Sequence, residues 1–106
     1  MVKRGQIWLV HLDPTVGGEI KNMRPCLIIS PAEMHDHLRT VIVAPMTTGN
    51  KPAPFRIPIV FQGKRGLILL DQIRTLDKVR LVRRLGRAGE ATVLATLRTL
   101  REVFEV

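Results

Sequence analysis

The apolar residues of this chain come in short runs. IWLV at 7–10, CLII at 26–29, VIVAPM at 41–46 and LILL at 67–70 are each of strand length, closed by polar, Gly or Pro residues. Runs of about four to eight residues between turn signals build β-strands. Up to residue 70, apolar residues parcelled this way suit strands and not long helices. They must pair neighbouring strands through tight turns. With 45% of its 106 residues hydrophobic, the chain can bury a core and is not disordered. One domain over residues 1–106 is the expectation for this length.

GQIWLVHLD (5–13) reads as the first strand. PTVGGEIKNM (14–23) is a loop of about ten residues, where a hairpin turn needs roughly two to five. RPCLIIS (24–30) is a second strand, apolar almost throughout and so central, with Pro25 near its start where a missing N–H is tolerated. SPAEMHDHL (30–38) reads as one or two helical turns, with Ser30 as cap, Pro31 first in the helix and Glu33 three residues beyond Ser30. RTVIVAPM (39–46) is the third strand and TTGNKPA (47–53) a turn. PFRIPIVF (54–61) alternates, and its two prolines push it to a sheet edge. QGKRG (62–66) is another turn, and LILLDQIRTLD (67–77) begins as a buried strand and turns polar at Asp71.

KVRLVRRL (78–85) fits helix and strand equally: Val79, Leu81 and Val82 could face a core, Arg80, Arg83 and Arg84 water. GEATVLATLRTLREVFEV (89–106) is the one clear helix, with Val93, Leu97, Leu100 and Phe104 at helical spacing and Leu94 and Val103 beside them. The fold class expected is mainly β with α: a small, curved, antiparallel barrel-like sheet carrying a C-terminal amphipathic helix.

No run approaches the roughly 20 apolar residues of a membrane span, so a membrane is not an expected partner. The start, MVKRGQIWLV, reads as a first strand and not a signal peptide. The single cysteine, Cys26, excludes an internal disulfide and fits a reducing cytoplasm. Net charge is +8, with six basic residues and one aspartate in RTLDKVRLVRRLGR (74–87). Such a surface attracts polyanions through a long-range, salt-sensitive term, nucleic acid first among them. Solubility, or an acidic protein partner, would use the same charge.

Metal chemistry has little to work with. His35 and His37 flank Asp36, but residues two apart point away from each other on a helix, and the spacing matches no usual zinc site. A solvent-facing polar turn is the simpler assignment. Cys26 sits in an apolar run and reads as a buried, inert thiol. What remains lies at strand ends: Arg24 opening strand two, Thr47 and Thr48 closing strand three, and Asp71, Gln72 and Arg74 after LILL. A guanidinium can stabilise charge on phosphate oxygens, a hydroxyl can orient the phosphate, and a carboxylate can accept a proton. Arg24 paired with an acid such as Glu19, the threonines in a turn and Asp71 capping a turn form the structural alternative. In a simple meander, Arg24 and Thr47 are expected at opposite ends of the hairpin.

RGQIWLVHLDPTVGGEIKNMRPCLIIS, VAPMTT and GLILLDQIRTLDKVRLVRRLG, in this order and spacing, closely resemble the MazF/PemK family of toxin ribonucleases. The likeness runs from Lys3 to the C-terminal helix. It implies a small curved β-barrel of SH3-like or CcdB-like form with a C-terminal helix. It also implies a homodimer, cleavage of single-stranded RNA without metal or cofactor, and an acidic antitoxin. The RNA 2′-hydroxyl would attack, leaving a 2′,3′-cyclic phosphate and a 5′-hydroxyl.

By position, the resemblance makes Arg24 and Thr47 the catalytic pair, with Asp71 catalytic or supporting. The long loop becomes a flap whose Glu19, Lys21 and Asn22 meet RNA, with Thr48, Lys51, Gln72, Arg74 and Arg80 as further RNA contacts. Phe55 is the best stacking candidate among few aromatics, while Trp8 and Phe104 read as core. Two positions depart from the PemK branch: Leu69 stands for an arginine and Gly18 for a loop histidine, so its Asp-Arg-His arrangement is incomplete. A gyrase-directed toxin and a plain RNA-binding module are the alternatives on the same fold.

Overall fold

The computed structural model describes residues 2–49 and 51–106; Met1, and Asn50 within the turn expected at 47–53, lie outside the described residues. The strands are β1 (Gln6–His11), β2 (Met23–Ile28), β3 (Thr40–Thr47), β4 (Arg56–Phe61), β5 (Lys64–Leu69), β6 (Arg74–Asp77) and β7 (Leu81–Arg87). Helix α1 spans Ala32–His35 and α2 spans Glu90–Val103, with single 3-10 turns at Leu70–Gln72 and Lys78–Arg80. The described pairings are all antiparallel, and the sheet runs β4-β5-β3-β2-β1-β7.

β3 is the hub. One edge pairs with β2, from Cys26↔Pro45 to Ile28↔Val43. The other edge is shared: β6 pairs with Thr40–Val43, and β5 with Met46 and Thr47. The 3-10 turn Leu70–Gln72 is the corner between these two strands. Pro45 explains why the edge can be shared. Ile29 N donates to Ile42 O at 3.0 Å, so the even residues of β3 turn their backbone polar groups toward β2. The odd residues face the other edge, and Pro45 brings its missing N–H to the gap where β6 stops and β5 begins.

Alternation sorts the core into two faces. Leu27, Ala44 and Met46 join Ile7, Ile57 and Ile68 on one side. Cys26, Ile28, Val41 and Val43 join Val10, Leu12 and Leu76 on the other. Both faces of β2 and β3 are therefore covered, which is why these strands read as continuous apolar runs. Each fully buried Ile or Leu of this set contributes about 1.5–3 kcal/mol. The sheet curls until its two ends meet: Phe61 of β4 lies against Gly86 of β7, where a Cβ would stand 3.2 Å from the ring. β4 is an edge strand, as its prolines predict. The turn after it is shorter than expected: Gln62 and Gly63, with φ of 51° and 75°, form a two-residue hairpin joining Phe61 to Lys64. β5 thus begins at Lys64, not Leu67.

Four further expectations need correction. Residues 81–87 form a strand, and Val79 (87% exposed) and Val82 face solvent, leaving Leu81 to pack inward. Ser30 does not cap α1; its Oγ accepts from Ile42 N at 2.9 Å and meets His35 Nε2 at 2.5 Å. His35 is accordingly buried, its Nδ1 3.1 Å from Val2 O, while His37 is exposed. On α2, Val93, Ala95 and Leu100 pack on the sheet, but Leu94, Val103 and Phe104 (71% exposed) do not. Leu94 lies on the face turned away from the sheet, and beyond Leu100 residues 101–106 are exposed throughout.

Candidate active site

β2 and β3 run in opposite directions, so the first residues of one lie beside the last residues of the other. Continuing the register from Cys26↔Pro45 by two residues sets Arg24 opposite Thr47. The expectation that they occupy opposite ends of the hairpin is reversed. Both line one cavity of about 270 Å³, with Pro25, Met46 and Thr48 of the same strand ends and Ile59, Phe61, Gln62, Lys64 and Gly66 of the β4–β5 hairpin. Two cations and no carboxylate stand among the described lining residues. Thr47 Oγ1 accepts from Gly49 N at 3.3 Å, which turns the hydroxyl oxygen toward the following loop. Gly66 lets the hairpin approach: a Cβ there would stand 2.7 Å from Thr47 O.

Arg24 is oriented by the long loop. Its Nε donates to Lys21 O at 3.2 Å, and its two Nη groups make no hydrogen bond among the described residues. A guanidinium held by Nε presents its Nη edge to whatever enters. The loop itself is tied down at both ends. Leu12 N donates to Asn22 O, and Asp13 Oδ1 accepts from Asn22 N at 3.1 Å and from Thr15 Oγ1 at 3.2 Å. The Asn22 N–H chiefly, with Thr15, His11 and Lys21 nearby, holds the Asp13 carboxyl below its ordinary pKa against some desolvation. Asn22 has a φ of 67°, a left-handed turn that asparagine tolerates.

The remaining sequence candidates divide. Asp71 lines a different cavity of about 200 Å³, with Leu12, Glu19, Ile20, Pro45, Gln72, Ile73 and Arg74. Its carboxylate takes Arg56 in a fork, Nε–Oδ1 3.2 Å and Nη2–Oδ2 3.1 Å, and this contact raises the Arg56 pKa. Gln72, Arg74 and Arg80 bond to the backbone of the loop and of the end of β1: Ile20 N to Gln72 Oε1, Arg74 Nη1 to Leu12 O, and Arg80 Nη1 to His11 O and Asp13 O. Glu19 accepts from Val16 N within the loop, and Lys21 and Lys51 are exposed. Phe55 stands outside the Arg24 cavity with the Arg56 guanidinium 5.7 Å from its ring centre. The aromatic that lines the cavity is Phe61, and the cation beside Arg24 is Lys64. The QG pair at 62–63 was the available signal, since a two-residue hairpin sets the residues on either side of it opposite each other.

Cys26 is buried, and desolvation pushes its thiol up to about 12, so it is no nucleophile. Among the described residues no three His, Cys, Asp or Glu side chains gather as a metal site requires, and no helix is long and apolar enough to cross a membrane.

A family model described as PemK-like, MazF-like toxin of type II toxin-antitoxin system matches residues 3–104. The chain belongs to this family. Curated relatives of this PemK/MazF-like toxin include endoribonuclease PemK of Escherichia coli, 41% identical over 95 residues (84% of this chain, 71% of the relative). Endoribonuclease MazF of Staphylococcus epidermidis is 35% identical over 100 residues, 89% of this chain and 83% of that one. Among solved structures, MazF of Deinococcus radiodurans superposes with a TM-score of 0.85 at 25% identity, covering 96% of this chain and 94% of that one. An endoribonuclease in complex with its cognate antitoxin, from a mycobacterial species, shares the fold with a TM-score of 0.80 at 24% identity, over 96% and 93% of the two chains. The curled antiparallel sheet with a C-terminal helix is thus the MazF-like fold.

Proposed function

We propose that this toxin is an endoribonuclease that cuts single-stranded RNA in the Arg24–Thr47 cavity. The observation that carries the reading is the meeting of these two side chains, from facing ends of β2 and β3, in a cavity with Lys64 and no described carboxylate. The 2′-hydroxyl oxygen of the RNA attacks the adjacent phosphorus and gives up its proton to solvent, the bond to the 5′-oxygen breaks and that oxygen takes a proton from solvent, and the products are a 2′,3′-cyclic phosphate and a 5′-hydroxyl. The Arg24 Nη edge stabilises the charge that builds on the non-bridging oxygens. The Thr47 hydroxyl positions the phosphate, and Thr48 and Lys64 hold the flanking backbone. Asp71 takes a supporting part by fixing Arg56.

Glu19, Lys21, Asn22 and Lys51 border the path of the strand; Gln72, Arg74 and Arg80 serve it through the loop. No step calls on a metal ion. The net charge of +8 supports an acidic antitoxin as partner, the toxin acts as a homodimer, and an RNA substrate with an antitoxin partner supports a cytoplasmic site of action.

The test is cleavage of a long RNA by purified protein in EDTA, followed by mapping of the ends. Cyclic phosphates and 5′-hydroxyls are expected, and Arg24→Ala should bind RNA but lose about 10²–10³ in kcat. Intact RNA with gyrase stalled on DNA, or RNA shifted but never shortened, would replace this reading with a gyrase-directed toxin or a binding module.

A further inference from the structure

The long loop carries Lys21, whose carbonyl orients Arg24, yet most of it stands away from the sheet. Residues 16–19 and 21–22 are exposed. Arg74 and Arg80 grip its near end at His11, Leu12 and Asp13, and the Asp13 carboxylate closes its far end on Asn22. Between Pro14 and Ile20, one side chain from elsewhere in the fold bonds to the loop backbone among the described residues. It is Gln72. Its Oε1 accepts from Ile20 N at 2.8 Å, and its Nε2 donates to Gly18 O at 3.4 Å. A primary amide offers an acceptor and a donor side by side, as a peptide unit does, so Gln72 binds the loop as a neighbouring strand would. Its own position is fixed by the 3-10 corner between β5 and β6.

We infer that Gln72 is a positioning residue: it clamps the middle of the loop and, through Lys21 O, holds the Arg24 guanidinium in its working orientation. The inference rests on the role proposed for Arg24 and adds how that role is set. Gln72 lines the Asp71 cavity and not the Arg24 cavity, so it acts on the phosphate only through the loop. Orientation of a transition-state donor is a kcat matter, since misplacement by about 1 Å can cost up to a hundredfold in rate while RNA still binds. Glutamate can still accept from Ile20 N but has no donor for Gly18 O, so it replaces half of the clamp.

The experiment compares wild type, Gln72→Ala, Gln72→Glu and Arg24→Ala by hydrogen exchange of the Ile20 amide, thermal unfolding and cleavage kinetics on a short RNA. In Gln72→Ala the Ile20 amide should exchange about fivefold faster than in wild type, the equivalent of one lost hydrogen bond. Its kcat should fall about ten- to a hundredfold with KM nearly unchanged, under conditions where the protein remains folded. Gln72→Glu should recover most of the Ile20 protection and part of kcat. Unchanged Ile20 exchange overturns the clamp. A raised KM with unchanged kcat overturns it too, because Gln72 would then touch RNA directly. An active Arg24→Ala variant defeats the proposed role of Arg24 instead, and leaves the Ile20 measurement to judge the clamp by itself.

Discussion

Thr47 sits where it does because position 66 carries no side chain. A methyl group on Gly66 would meet the Thr47 carbonyl oxygen at 2.7 Å, a distance that backbone must move to relieve. Gly66→Ala should therefore cost about 1–3 kcal/mol, measured by urea unfolding. It should also lower kcat on RNA beyond the fraction unfolded, because the residue displaced is Thr47. An alanine variant of full stability would show that β5 can yield without moving β3. The residue types at the candidate site were legible in the sequence, as an arginine and a threonine at strand ends. Their meeting was legible too, from antiparallel direction alone, but a hairpin misread end for end hides it. Phe61 and Lys64 were hidden for a different reason. A QGKRG stretch read as one long turn leaves them apart, whereas left-handed Gln62 and Gly63 bring them together.

At the scale of elements, the loop at 12–22 shows its length in the sequence and conceals what holds it. Gln72 and Arg74 meet it across 52 to 62 residues of chain, and nothing in their local pattern separates a loop clamp from a free polar surface. β7 was ambiguous for a local reason. Its pairing with β1 shifts register between Ile7 and Trp8 and again between Leu9 and Val10, which breaks the alternation that would mark a strand. The closure of the loop on Asp13 has a pH signature. Its carboxylate is favoured in the folded state, chiefly by the Asn22 N–H, so its folded pKa lies below the ordinary 3.8. The contribution to loop order is whole above that ordinary value and is lost as pH falls through the depressed one. Followed by NMR, the Asn22 amide should titrate with a midpoint below 3.8, and the transition should vanish in Asp13→Asn. A midpoint at or above 3.8 would mean that the carboxylate does not hold the loop.

For the whole molecule, the net charge of +8 overstates what is free to meet RNA. Of the six basic residues in 74–87, Arg74, Lys78 and Arg80 donate to backbone carbonyls of Leu12, His35, His11 and Asp13. These half-buried cations hold the fold with part of their donors. Arg83, Arg84 and Arg87 stand exposed on β7, and Lys64 stands exposed at the cavity. Single-stranded RNA binding weakens with salt in proportion to the phosphates neutralised, with a slope of about −0.7 per contact. Lys64→Ala should flatten that slope by about 0.7. The measurement is fluorescence anisotropy with an RNA carrying a deoxynucleotide at the scissile position, so that binding is read without cleavage. An unchanged slope would place the phosphate path away from the β4–β5 hairpin, and with it the cavity that Arg24 and Thr47 share.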